Sequence, residues 1–392
     1  MTPPESRGSR DRKRLEAAID ERIRLIDSGS YRRNTEFILR EQFFDFLQTS
    51  PDIEEPPTYV DEVTVDHCRA YAEYLRETVH DQTEDLSAAS ASEKGPYYTT
   101  VRAFFSFCID EEWTTSNPAR PTRVRRVLPE DTTQPDRQFW TAEARNELLE
   151  HVDQQVQAGI GEPGSIRRKP EGVMLYRNRA LVAALAFTGA RGGEILSTPD
   201  DRLRNGLRWK NVDLDDGIIT VLGKSRNWEP IGLSKRVYEY LERLKRVLQP
   251  TNEGWPVFPS NHSPKHSRIV RETLKKQGYS EQEREEILEG CTLWEVSYEH
   301  DIAPPALSVN GGRSLMQRLC ESAGVDVDDE YLKPHGGRRR LGHEIYQVNP
   351  AKSQETLRHQ NIGTTHESYR DEQARETAKS IEDIVEGAGG DK

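Results

Sequence analysis

The chain has 392 residues, with 55 Lys+Arg against 67 Asp+Glu and a formal net charge of −12; 34% of its residues are hydrophobic and 31% charged. That length predicts two or three domains, and 6 Trp, 14 Tyr and 10 Phe exclude a mainly disordered chain. The longest apolar run, 180–187, falls far short of the ~18 residues of a membrane span, the first ten residues carry no apolar leader, and Cys68, Cys108, Cys291 and Cys320 are too widely spaced for a disulfide framework or a thiolate zinc site, so the expected setting is the cytoplasm, with no membrane partner.

Residues 12–26 place Leu15, Ile19, Ile23 and Ile26 at helical spacing, with charge on the opposite face. Residues 34–47 predict a second helix, with Phe37, Leu39, Phe43, Phe44 and Leu47 on its apolar side. Thr64 reads as an N-cap, followed by Cys68, Tyr71 and Leu75 at helical spacing. After the polar stretch 81–94, a helix over 98–111 carries Phe104, Phe105 and Phe107 and stops before Asn117-Pro118. Residues 1–118 therefore predict an all-helical domain. Residues 119–138 are Pro- and Arg-rich, then acidic, and predict a basic interdomain linker.

From Phe139 the pattern changes. Helices are predicted over 141–154 and 175–187, the second ending at Thr188-Gly189. Residues 218–222 and 228–231 flank Gly223-Lys224-Ser225-Arg226-Asn227 as a β-hairpin, and helices return after Ser234. Residues 262–306 are charged and read as an inserted element. Ala374, Ala378, Ile381, Ile384 and Val385 form an apolar stripe that predicts a tail helix over 376–392, after a second domain spanning 139–375. The expected fold class is mainly α, a helical N-terminal domain followed by a mixed α+β domain with a small β-hairpin sheet.

Net acidity argues against nucleic-acid binding, but it is a whole-chain number, and DNA meets only one face. The positive charge is concentrated over 10–14 and 120–126 and at Arg338, Arg339 and Arg340. An acidic, Lys-poor, Arg-rich composition fits a salt-adapted host; GC-rich coding produces the same Lys/Arg bias.

Four short patterns bear on chemistry. In Thr188-Gly189-Ala190-Arg191-Gly192-Gly193-Glu194 an arginine sits in the turn after an apolar helix, with a carboxylate three residues on. Lys224 occupies the hairpin tip. His335 and Arg338 are three apart at a helix start, where one face presents both. Leu357-Arg358-His359 is followed, ten residues after the histidine, by Tyr369. Singly, each has an ordinary structural reading: a helix cap, a turn, a chance spacing, a packing residue.

In this order and on these elements, the patterns resemble the tyrosine recombinase (phage integrase) family. The resemblance implies a DNA core-binding domain over 1–118 and a catalytic domain over 139–375. It implies Arg191, Lys224, His335, Arg338 and His359 around a phosphate, with Tyr369 as nucleophile. The implied activity is site-specific recombination or integration of double-stranded DNA through a 3′-phosphotyrosyl intermediate, by a homo-oligomer, a tetramer on DNA, with no metal, ATP or other cofactor. The alternatives are a DNA-binding regulator that has lost catalysis and a type IB topoisomerase-like enzyme.

The chain departs from the family pattern in places. The family has Leu-Gly-His where this chain has Leu357-Arg358-His359, and its tyrosine comes nine residues after that histidine rather than ten. Arg339-Arg340-Leu341-Gly342-His343 lacks the usual His-Thr, a polar insert occupies 198–205, and 262–306 has no family counterpart. The chemistry still accounts for the residue set. Two guanidiniums can hold an anionic phosphodiester bidentately and stabilise the extra charge of its transition state. A tyrosine hydroxyl can attack it, and a lysine beside arginines can give a proton to the leaving 5′-oxygen.

Overall fold

Leu15, Ala18, Ile19 and Ile23 fall on one face of helix α1 (Leu15–Arg24) and are all buried, as their spacing requires. The computed structural model describes residues 12–81, 86–131, 138–159, 169–198 and 201–358. Its contacts divide the chain into two units, Met1–Asp136 with Pro199–Arg202, and Arg137–Thr198 with Leu203–Lys392.

In the first unit, α2 (Gly29–Glu36) runs through a π-helical stretch, Phe37–Phe44, into α3 (Asp45–Thr49). The helix expected over 34–47 thus begins earlier, because its first turns are polar and carry no apolar period. The π-helical stretch delivers Ile38, Leu39 and Phe43 to the core together. Helix α4 (Val65–Asp81) starts where expected, with Thr64 Oγ1 accepting the His67 N–H at 3.3 Å. After the short α5 (Ala88–Ala91), α6 (Pro96–Asp110) opens on proline, whose missing N–H costs nothing at a helix start. Phe43 joins these elements, meeting Tyr71 of α4 and Phe105 of α6 edge-on at ring separations of 5.1 Å and 6.0 Å.

The segment expected as a linker is, in its first half, part of this core. Ala119 and Val124 are fully buried, Leu128 nearly so, and α7 (Thr122–Arg125) lies between them. Tyr98 Oη donates to the Ala119 carbonyl at 2.7 Å, and Asn117 Oδ1 accepts the Ala119 N–H at 3.0 Å. Arg120, Arg123 and Arg126 stay exposed. Apolar residues interleaved with the arginines fasten the segment down while its charges face out.

In the second unit, α8 (Ala142–Gly159) and α9 (Pro170–Phe187) pack together. Every residue of α9 from Arg179 to Ala186 is buried; a helix apolar on all sides belongs in the middle of a core. The short α10 (Gly192–Ile195) follows, then the antiparallel sheet β1 (Val212–Asp213), β2 (Ile218–Leu222) and β3 (Trp228–Gly232), in the order β1-β2-β3. The expected hairpin is present, with Val221 opposite Glu229 and Leu222 opposite Trp228. Helix α11 (Lys235–Leu248) presents Val237, Leu241, Leu244 and Leu248 as one buried stripe and packs on α9.

The segment over 262–306 comprises α12 (Ser263–Lys276), α13 (Glu281–Leu288) and α14 (Leu293–Glu299) around a small core of Val270, Leu274, Val296 and Ile302. Its ends lie side by side, since the Ser260 N–H reaches the Pro305 carbonyl at 2.7 Å and the Leu307 N–H the Phe258 carbonyl at 2.8 Å. Tyr298 of α14 stacks on the fully buried Trp255 at 4.9 Å. Helices α15 (Val309–Ala323), α16 (Pro334–Val348) and α17 (Pro350–Leu357) complete the described chain. Gly336 and Gly337 let α16 approach closely: a Cβ on them would sit 2.6 Å from Trp140 Cδ1 and 2.6 Å from the Leu185 carbonyl oxygen. The fold class is the one expected, mostly helical with a small antiparallel sheet. Among the described residues no helix is long and apolar enough to cross a membrane.

Candidate active site

The turn after α9 is built by its own sequence. Thr188 Oγ1 donates to the Ala184 carbonyl at 2.6 Å and accepts the Ala190 N–H at 3.1 Å, closing the helix end. Gly189 takes a left-handed conformation, φ +66°, that its lack of a Cβ allows. Glu194 then reaches back, accepting the Arg191 N–H at 2.8 Å and the Arg191 guanidinium at 2.7 Å. Its carboxylate is 1% exposed, while the Arg191 side chain is 30% exposed. Burial on its own would raise the pKa of Glu194. The Arg191 N–H, the Arg358 charge and the Arg191 guanidinium outweigh it and hold the group below the usual carboxylate range.

Helix α16 begins against this turn, where a Cβ on Gly192 would lie 3.8 Å from the Pro334 side chain. His335 is exposed in its first turn, whereas Arg338, one turn on, is buried. The two share a helix but stand at different depths, unlike the joint presentation expected from their spacing. Arg338 donates to the carbonyls of Gly189 and Leu357, joining the Arg191 turn to the end of α17.

Lys224 is exposed at the tip of the β2-β3 hairpin, where the Gly223 N–H closes on the Asn227 carbonyl at 2.8 Å. Arg204 ties this tip to the Arg191 turn, donating to the Gly223 carbonyl at 2.8 Å and the Gly193 carbonyl at 2.9 Å. Arg204 lies in the polar insert 198–205, which the sequence marks only as a departure, and no motif points to it. Arg358, in the left-handed conformation at φ 53°, pairs with Glu194 at 2.5 Å and with Glu229 of β3 at 3.0 Å.

Arg191, Lys224, His335 and Arg338 thus lie on segments of the second unit that are joined by direct hydrogen bonds or close packing. His359 and Tyr369 lie outside the described residues, as does the predicted tail helix. Tyr331 and Tyr346, the described tyrosines nearest in sequence to Tyr369, are packed. Tyr331 lies against the main core, and Tyr346 is buried beside Leu357 and Phe139. Among the described residues no group of three or more His, Cys, Asp or Glu side chains is placed to hold a metal ion. The exposed Lys224 and His335 and the part-exposed Arg191 suit an anion, with Glu194 and the carbonyl-bound Arg338 behind them.

No protein-family model matches the chain. Tyrosine recombinase XerD of Chlorobaculum tepidum is 24% identical over 155 residues, covering 39% of this chain and 41% of that protein. Tyrosine recombinase XerC of Thermodesulfovibrio yellowstonii is 22% identical over 247 residues, covering 60% of this chain and 65% of that protein. The matches therefore span less than two thirds of the length of either relative. Among solved structures, the Tn1549 transposon integrase in complex with a circular intermediate DNA has a TM-score of 0.52 at 15% identity, covering 93% of this chain and 99% of that one. The same integrase in complex with transposon right end DNA has a TM-score of 0.51 at 16% identity, with the same coverage. The fold is shared with these integrases, and the two relatives by sequence bear out the resemblance to the tyrosine recombinase family.

Proposed function

We propose that this chain, similar in sequence and fold to tyrosine recombinases, is a site-specific DNA recombinase or integrase. The observation that carries this reading is that Arg204 bonds the Arg191 turn to the Lys224 hairpin and Arg338 bonds the same turn to the helix that carries His335 in its first turn. In the proposed reaction Arg191 and Arg338 hold the scissile phosphate, Arg338 by turning from the Gly189 and Leu357 carbonyls that it bonds in the DNA-free chain, and His335 and His359 orient it. Tyr369 attacks the phosphorus, its proton passing to the histidine pair. The phosphorus–5′-oxygen bond breaks, and Lys224 gives the leaving oxygen a proton. A 5′-hydroxyl of a second strand then reverses the step. The phosphodiester bond energy is kept in the phosphotyrosyl link, so the cycle requires no nucleotide, and the arginines supply the charge stabilisation that a metal would otherwise give.

The substrate is double-stranded DNA, engaged by a helical core-binding domain over 1–118 and a catalytic domain over 139–375, with protomers assembling as a tetramer and working in the cytoplasm. The exposed Arg120, Arg123 and Arg126 supply sequence-independent phosphate contacts, so affinity for duplex falls steeply with salt.

The test uses a supercoiled plasmid carrying the DNA that flanks the gene, treated with the protein in excess EDTA and run on a denaturing gel. A protein–DNA adduct together with recombinant product supports the reading. Binding without an adduct favours a DNA-binding regulator, and relaxation without strand exchange favours a topoisomerase-like enzyme.

A further inference from the structure

Arg358 stands where the resembling family has glycine, directly after α17 and directly before His359. Its φ of 53° is the left-handed conformation that closes many helices and that residues with a Cβ adopt reluctantly. Its side chain, 12% exposed, is spent on two carboxylates: Glu194 at 2.5 Å and Glu229 at 3.0 Å. Glu194 is the residue that holds Arg191. Glu229 lies on β3 opposite Val221, and its carboxylate covers the space a Cβ on Gly223 would need, next to Lys224. One guanidinium therefore touches the acid behind Arg191 and the acid behind the lysine hairpin.

We propose that Arg358 is a positioning residue that locks the Lys224 hairpin onto the Arg191 turn through Glu229 and Glu194, a function glycine at this position cannot perform. The effect on turnover rests on the recombinase reading above; the effect on the hairpin does not. Lys224 is exposed at the tip of the β2-β3 hairpin, beyond the part of β2 that β1 pairs, and such a tip drifts unless something holds it. Arg204 fixes the backbone at Gly223, and Arg358 fixes the strand beyond the tip. With both in place, the lysine keeps a constant reach to whatever Arg191 holds.

The test compares Arg358→Gly, Arg358→Lys, Glu229→Gln and the double variant Arg358→Gly/Glu229→Gln. Glycine suits the left-handed position but leaves the buried Glu194 without one of its two cations, so the Tm of Arg358→Gly balances two opposed effects, and a purely structural role predicts no change beyond the Tm. Positioning predicts that amide exchange over 221–229 rises about 10-fold in Arg358→Gly and in Glu229→Gln. It also predicts that the rate of adduct formation on the flanking-DNA plasmid falls about 10- to 100-fold while duplex affinity holds. Arg358→Lys is intermediate, and the double variant is no worse than Arg358→Gly alone. Parent-like exchange over 221–229 in Arg358→Gly overturns the proposal. If the parent chain forms no adduct at all, the recombinase reading fails, and the exchange measurement still decides the lock. Should Arg358→Gly fail to fold, Glu229→Gln carries the same comparison.

Discussion

The guanidinium of Arg338 donates to the carbonyl of Gly189, 149 positions earlier in the chain, and with its other arm to the carbonyl of Leu357. Both acceptors are backbone, so the contact is indifferent to the side chains at those positions and depends on arginine alone. The planar fork of donors suits it, and a lysine ammonium offers no such pair in fixed geometry.

Replacing Arg338 with Ala leaves buried carbonyls without their donor and lowers stability by roughly 2 kcal/mol or more. Arg191→Ala lowers it by about 1 kcal/mol or less, since a part-exposed pair is lost and Glu194 keeps Arg358. Urea denaturation separates the two, and both variants lose adduct formation. Equal urea midpoints for the two variants would contradict the burial of Arg338.

Helix α16 is held close by its glycines, and the two are not equivalent. Gly337→Ala drives a Cβ against the Leu185 backbone carbonyl, which cannot yield, and costs about 1–3 kcal/mol. Gly336→Ala meets the Trp140 ring, which can tilt only by weakening its 2.8 Å bond from Nε1 to the Lys333 carbonyl. The expected result is a lower Tm for both, with the larger loss in Gly337→Ala.

His266 in α12 is 1% exposed, bonds Ser297 Oγ at 2.7 Å, and is pushed by burial from 6.5 down to about 4. The folded state keeps it neutral while the unfolded chain takes up a proton below about pH 6.5. Stability therefore falls as pH drops from 6.5 towards 4, by up to about 1.4 kcal/mol per unit. His266→Asn removes this dependence. Urea midpoints measured between pH 7 and 5 should converge for parent and variant at the acid end; parallel curves would rule out the contribution.

Tyr369→Phe is expected to bind its DNA and form no covalent adduct, while Tyr346→Phe, a buried packing residue, keeps adduct formation and loses some stability. A persistent adduct in Tyr369→Phe on a nicked suicide substrate, lost in Tyr346→Phe, would reverse the assignment of the nucleophile.

Much of this was legible in the sequence, and the exceptions share a cause. The stripe Leu15, Ile19, Ile23, the cap at Thr64 and the hairpin around Lys224 follow from local spacing, and each is present. The early start of α2 escaped because Gly29 to Asn34 carries no apolar period. The partners of Arg204, Glu229 and Arg358 escaped because each lies on another element, and no periodicity encodes a contact between remote segments. The depth of Arg338 depends on Gly336 and Gly337 drawing α16 onto Trp140 and α9, a consequence of packing that a two-residue motif does not carry. His359 and Tyr369 lie outside the described residues, and their roles stand on the resemblance.

The element over 262–306 leaves and rejoins the chain at one point, so its length is of little consequence to the rest of the unit. It also closes that unit, because Tyr298 covers Trp255, and its hydroxyl caps α11 at the Leu248 carbonyl, 2.6 Å away. Excision would therefore not be neutral. The adjacent ends could be rejoined without strain, but the indole of Trp255 would lose the ring that covers it, so a chain shortened at this point closes its backbone and opens its core.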